Sequence, residues 1–154
     1  MASTQDFVNN LFQFMEETFE AKHHGIYLDR GTSLFETLET VSAEEASIPV
    51  GGKCASLAAQ VAHVTFYIES FERYALQGDS SPRDWGLIWR TVEKVTSEEW
   101  EDYKSKLKDA YFRMDKLFHE NPDWNEDTMG GALSIVVHTA YHLGEIRQAL
   151  CTLK

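Results

Sequence analysis

The chain has 154 residues, the size of one ordinary domain, and 43% of them are hydrophobic, which is enough for a packed core. A net charge of -11, without any cluster of Lys or Arg, disfavours binding to nucleic acid or to an anionic membrane surface. The sequence lacks an apolar run long enough to cross a membrane, and its first residues do not resemble a signal peptide. We therefore expect one cytoplasmic domain over residues 1–154, with no disulfide framework from its two cysteines.

Apolar residues at helical spacing predict a first helix over about residues 4 to 21. Two capping boxes follow, Ser33 with Glu36 and Ser42 with Glu45. In a capping box the Ser side chain accepts from a backbone N–H of the first helical turn, and the Glu side chain accepts from the Ser N–H, so each box marks a helix start. The boxes therefore predict short helical segments between the first helix and the next long one.

A long helix is predicted over residues 54 to 76, where apolar side chains step by threes and fours as in the seam of a helix bundle. His63 lies beside this seam, near the middle of the helix, with Gln60 and Tyr67 on the same side. A lone histidine in such a position is most often a hydrogen-bonded core or boundary residue, so its position alone assigns it no further role.

The segment from Gly78 to Val95 is the longest stretch without a helical pattern, and it contains Trp85 and Trp89. Long loops in compact domains often carry function. The two indole rings therefore form either the wall of a pocket or a cover over an open end of the fold, and the pattern favours neither.

Two further helices complete the chain, one over residues 96 to 120 and one that starts near residues 128 to 132 and ends at about 150. The last helix is apolar nearly all round, so it is either central or also buried in a homodimer interface. Long helices that each carry an apolar stripe, joined by short or moderate connections, pack as bundles. We predict an all-α chain, an antiparallel four-helix bundle with an extra N-terminal helix or short helical segments.

The last helix also carries two histidines four residues apart, His138 and His142, with Glu145 on the same face. Side chains at this spacing lie about 6 Å apart along the helix axis, so both imidazoles can reach one point. Imidazole nitrogens bind zinc or nickel well. With a third ligand from a neighbouring helix, such a site keeps one position open for water or substrate.

Two alternatives remain open at this face. The two histidines can also be ordinary core residues with satisfied hydrogen bonds. Glu145 has several possible roles, as a fourth ligand, an acceptor that orients one imidazole, a base acting on metal-bound water, or a surface carboxylate near Arg147. The spacing does not choose among them.

Two segments resemble the DinB-like (YfiT-like) superfamily. Residues 56–63, SLAAQVAH, look like its second-helix signature. Residues 138–148, HTAYHLGEIRQ, look like its closing H-x-x-x-H-x-G-[QE]-I-R-Q motif. The loop around Trp85 and the helix start at Trp100 are also similar to members of the family, so the resemblance covers roughly residues 26 to 152.

The resemblance implies a four-helix bundle, usually a dimer, in which His63, His138 and His142 hold a divalent metal. Glu145 stands where many members have Gln, which leaves its role open. The family includes thiol-dependent S-transferases and isomerases that use low-molecular-weight thiols. A zinc or nickel ion in such a site lowers the pKa of a bound thiol or water and so makes a nucleophile.

We therefore expect a metal-dependent enzyme, a thiol-dependent S-transferase or a hydrolase of a small molecule. Trp85, Trp89 and Tyr141 are the candidate walls of its substrate pocket, and Glu145 is the candidate base or orienting acceptor. The expected partners are a small-molecule substrate, a low-molecular-weight thiol and a second copy of the chain. The alternative is a non-catalytic dimeric helical module in which a metal is structural or absent.

Overall fold

The computed structural model describes residues 3–52, 54–121 and 123–153, which are all helices, turns and loops without a strand. The prediction of an all-α chain is therefore confirmed for these residues. The α-helices, in chain order, are α1 Thr4–Phe19, α2 Leu34–Glu39, α3 Ala43–Ala46, α4 Leu57–Gln77, α5 Leu87–Thr91, α6 Ser97–Glu120 and α7 Glu126–Leu153, with a 3₁₀ turn at Val50–Gly52.

The predicted capping boxes are present and set the starts of the helices. Ser33 and Ser42 each accept from the N–H of the Glu three residues later, and that Glu side chain accepts in return from the Ser N–H. Ser56 caps α4 in a simpler way, by accepting from the Ala59 N–H. Because Ser56 has extended backbone angles, α4 begins at Leu57, three residues later than the apolar pattern predicted.

The hydrophobic core lies between α1, α4, α6 and α7. Helix α4 packs against both α6 and α7, and α1 packs against α7. The two short helices α2 and α3 pack against α6, and the Trp100 indole N–H donates to the Val41 carbonyl at 2.7 Å. The fully buried side chains include Phe19, Leu57, Ile68, Trp100, Tyr111, Ile135 and Leu143.

The stretch from Gly78 to Val95 is not wholly irregular, as the sequence pattern suggested, because its middle forms α5, which packs on α4. Gly78 ends α4 in a left-handed conformation (φ 64°), which favours glycine, and its N–H donates to the Tyr74 carbonyl. The segment therefore leaves α4 sharply and folds back along it, which places Trp89 over the middle of α4.

A buried carboxylate joins α1 to the loop that follows it. Glu17 is 2% exposed and accepts from the backbone N–H groups of His24, Ile26, Tyr27 and Leu28. Burial alone would raise the pKa of Glu17, but these four donors stabilise its charged form and lower the pKa to about 2. The carboxylate thus supplies the hydrogen-bond acceptors for four backbone N–H groups of the loop.

Helix α7 begins at Glu126, slightly earlier than predicted, and is not buried all round. Its face at Leu133, Val137 and Tyr141 is exposed, with 41%, 65% and 62% of these residues accessible to solvent. Among the residues that the structure describes, no helix is both long enough and apolar enough for a membrane crossing.

Candidate metal centre

Three histidines meet where α4 packs against α7. His63 lies in the middle of α4, and His138 and His142 lie one turn apart on α7. Their ring nitrogens that face the common centre all lie within 4.8 Å of one another. Since His63 and His138 are 75 residues apart in the sequence, only the packing of α4 on α7 assembles the cluster.

The nitrogen geometry suits a single ion. The Nε2 atoms of His63 and His138 are 3.1 Å apart. Two nitrogens bound to one tetrahedral zinc ion at about 2.0–2.1 Å are themselves about 3.3 Å apart, so little movement is needed for both to bind it. In the absence of a metal the same distance permits one ring to donate to the other.

The tautomer of His142 is set by two oxygen acceptors. Its Nδ1 lies 2.5 Å from Gln60 Oε1 and 3.0 Å from Glu145 Oε2. Because both oxygens accept, Nδ1 carries the proton and donates, and the lone pair on Nε2 is left for a metal. Of the roles open to Glu145, the geometry therefore favours that of an orienting acceptor.

Burial keeps the three imidazoles neutral. His63 and His142 are 8% and 5% exposed, and His138 is half-buried. Burial lowers the pKa of His63 and of His138 to about 4, and repulsion from His142 acts in the same direction. Burial also lowers the pKa of His142, although the Glu145 carboxylate offsets part of this effect. At neutral pH each ring is therefore ready to bind a metal without first losing a proton.

The rings of His63 and His138 are not oriented by hydrogen-bond acceptors as the ring of His142 is. The Nδ1 atoms of His63 and His138 are buried and have no hydrogen-bond partner among the described residues. Their orientation depends on ring packing instead. Tyr67 stacks on His138, with ring centres 3.8 Å apart, and Trp89 covers His63 at 4.4 Å.

The predicted pocket residues take unequal positions around the cluster. Trp89 contacts His63, and Tyr141 lies edge-on to His142 with ring centres 5.1 Å apart. Trp85 lies further out, where it packs on Tyr67 at 5.8 Å rather than on a histidine. Tyr67 thus stands between Trp85 and the cluster.

Two residues at the site were not assigned a role from the sequence, Gln60 and Tyr67. Both lie on the same face of α4 as His63, at offsets of three and four, and this spacing was the available signal. A glutamine and a tyrosine near a helix seam are too common for that signal to carry an assignment by itself. Only the approach of α7 shows that Gln60 meets His142 and Tyr67 meets His138.

Comparison with protein-family models, with curated proteins and with solved structures found no match for this chain. The geometry of the cluster therefore has to carry the functional argument.

Proposed function

We propose that the chain is a metal-dependent enzyme that acts on a small molecule, with one divalent transition metal ion held by His63, His138 and His142. The single observation that carries this proposal is the convergence of three neutral, largely buried imidazoles on one centre. Buried histidines are normally paired with an acceptor, whereas His63 and His138 each present one nitrogen to the other, and the second nitrogen of each finds no partner within the described part of the chain. A shared ion accounts for this arrangement.

The donor set favours zinc or nickel. Three neutral nitrogens suit a borderline transition ion better than calcium or magnesium, which prefer oxygen ligands. Three protein ligands also leave at least one position open, which is the difference between a catalytic and a structural zinc site. A bound ion would lower the pKa of a thiol or a water at that position and supply the nucleophile.

The side chains around the cluster would position the ligand rings and limit the access of water to the open position. Trp89 and Tyr67 hold the rings of His63 and His138 and reduce the access of water to them. Glu145 accepts a hydrogen bond from His142 Nδ1–H, which strengthens the ring as a ligand. Interaction with the Glu145 carboxylate raises the pKa of Tyr141, so the Tyr141 hydroxyl stays protonated near the site.

We further propose that the chain is a DinB-like protein whose bundle consists of α1, α4, α6 and α7. The two histidine motifs and the packing of α4 on α6 and α7 support this assignment. The family resemblance favours a thiol-dependent S-transferase, with a hydrolase as the other reaction that the same centre would support. The exposed apolar face of α7, which includes Val137 and Tyr141, supports a homodimer whose second copy covers that face.

The proposal is tested by metal analysis of the native protein and of two variants. We expect about one zinc or nickel ion per chain in the wild type, and its loss in His138→Ala. His23→Ala is the matched control, because His23 is an exposed histidine outside the cluster, and it should retain the metal. Equal metal content in the wild type and His138→Ala, with both folded by circular dichroism, would show that the site is wrong.

A second measurement separates catalysis from a structural role. Thiol transfer to a small electrophile is assayed before and after treatment with a chelator, alongside thermal unfolding. Loss of turnover with little change in melting temperature supports the enzyme. A large fall in melting temperature, with no turnover in either state, supports a structural metal instead.

A further inference from the structure

A cavity lies away from the histidines, at the opposite end of α4 from Ser56. It occupies about 770 Å³ where α4 and α6 end and α7 begins, a volume typical of small-molecule sites. We call it the end groove. Its lining combines apolar side chains with two carboxylates, and the principal members are Phe71, Tyr74, Leu117, Phe118, Glu120 and Asp127.

The aromatic floor of the end groove is held in place. The Phe71 ring packs on Phe118 with ring centres 5.5 Å apart. On its other side it lies against the backbone of α7 at Gly131, so closely that a Cβ atom there would overlap the ring. Phe71 therefore cannot swing toward α7, and the groove keeps its apolar floor without a ligand.

The charged side chains that line the end groove are acidic. Glu120 and Asp127 line it, and no Lys or Arg is among the described residues that do so. Lys116 approaches Glu120 at 3.8 Å, but both side chains are about 70% exposed, so that pair neutralises little. An anionic ligand would be repelled here, whereas a cationic group would be attracted by the two carboxylates.

The helix ends add to this negative potential. α4 ends at Gln77 and α6 ends at Glu120, so the last carbonyl groups of both helices face the groove end of the molecule. The free carbonyls of a helix C-terminus attract cations. The N-terminus of α7 has the opposite polarity, but its first turn carries Glu126 and Asp127, which offset it.

We propose that the end groove binds a protonated amine carried on an apolar body, such as an arylalkylammonium ion. The ammonium group would donate its hydrogens to the carboxylates of Glu120 and Asp127 and to carbonyls at the helix ends. The apolar body would cover Phe71 and Leu117, and the exposed ring of Tyr74 would add a cation–π contact. This site is independent of the proposed metal centre, because none of the three histidines lines it.

Three probes of nearly equal shape and different charge test the proposal. They are 2-phenylethylamine, 2-phenylethanol and 3-phenylpropanoate, and their binding to the native chain is measured by calorimetry at neutral pH and low salt. We expect the amine to bind about tenfold more tightly than the alcohol, and the carboxylate to show no binding. The same order is expected with and without chelator, so failure of the metal centre does not affect the result.

Two double variants locate the site. Glu120→Gln with Asp127→Asn should reduce amine affinity to that of the alcohol. Glu98→Gln with Asp109→Asn is the control, since it removes the same charge from exposed positions of α6, the nearer of which is about 16 Å along the helix from Glu120. This control should bind the amine as the wild type does.

The contact with Tyr74 is tested separately with Tyr74→Ala, which is expected to weaken binding of the amine more than that of the alcohol, because only the amine makes the cation–π contact. Tyr74 is 47% exposed, so its removal leaves the fold intact. Equal affinities for the amine and the alcohol, or unchanged amine binding when both groove carboxylates are neutralised, would overturn the proposal. So would the absence of binding by all three probes.

Discussion

Gln60 Oε1 accepts a hydrogen bond from His142 Nδ1 at 2.5 Å, across the contact between α4 and α7. The bond joins a residue one turn before His63 to the ring that completes the cluster. It therefore does two things at once, since it fixes the tautomer of one proposed ligand and ties together the two helices that supply all three.

Replacement of Gln60 should weaken metal binding without removing the site. In Gln60→Ala, His142 keeps only Glu145 as an acceptor, and we expect metal affinity to fall by about 10-fold to 100-fold. Competition with a chromophoric chelator measures this change. Gln148→Ala, at an exposed position on α7, is the matched control and should bind like the wild type. Unchanged affinity in Gln60→Ala would mean that the bond does not orient the ligand.

Glu145 is best examined with two substitutions. Glu145→Gln retains an oxygen that accepts from His142 Nδ1, whereas Glu145→Ala removes it. If Glu145 orients the ring, Glu145→Gln should bind the metal nearly as tightly as the wild type. The metal affinity of Glu145→Ala should be about tenfold lower. If Glu145 acts as a base, both variants should lose turnover while keeping the metal, as metal titration and activity measured on the same samples would reveal.

The pH dependence of stability without metal follows from the lowered pKa values of His63 and His138. Both are about 4 in the folded chain, below the ordinary value of 6.5. Between these values the unfolded chain binds more protons than the folded one, so stability falls as pH decreases from 6.5 toward 4. Thermal unfolding of chelator-treated protein over this range checks the sign.

A variant tests whether the histidines cause that dependence. His138→Gln removes one of the two groups whose pKa is lowered to about 4 and should lower the slope of melting temperature against pH between 6.5 and 4. An identical slope in the variant and the wild type would assign the acid sensitivity to other groups.

Glu17 should be essential for the loop after α1. Glu17→Gln replaces one carboxylate oxygen by an N–H₂ group that faces backbone donors, so we expect a loss of about 2–3 kcal/mol of unfolding free energy. Glu44→Gln, at an exposed position, is the control. The pKa of Glu17 is lowered from 4.5 to about 2, so its stabilisation is complete above pH 4.5 and is lost as pH falls toward 2. Urea unfolding at pH 7 and pH 3 measures both effects.

Two adjacent glycines of α7 should respond in opposite ways to alanine. At Gly131 an added methyl group would overlap the Phe71 ring, so Gly131→Ala should cost about 1–3 kcal/mol of stability. At Gly130 the space is open, and Gly130→Ala should add up to about 1 kcal/mol because alanine favours the helix. Chemical denaturation of both variants and of the wild type measures the two changes in unfolding free energy. Unchanged or increased stability in Gly131→Ala would contradict the close approach of Phe71 to the backbone of α7.

Local chemistry in the sequence was sufficient for the long helices, for the capped short ones and for part of the site. The boxes at Ser33 and Ser42 predicted helix starts because both of their hydrogen bonds form within four residues. The pairing of His138 with His142 was equally readable, since an α-helix places residues four apart on one face whatever surrounds it. These features depend on backbone geometry alone, which is why a linear pattern reveals them.

The tertiary structure alone decided which residues meet across helices. Gln60 and Tyr67 share a helix face with His63, but their contacts to His142 and His138 depend on how α7 crosses α4. The same packing placed Trp85 behind Tyr67 and left Val137 exposed on the outer face of α7. Helical periodicity specifies the direction of a side chain from its own axis, whereas its partner depends on the rotation and crossing of the neighbouring helix, which many residues determine together.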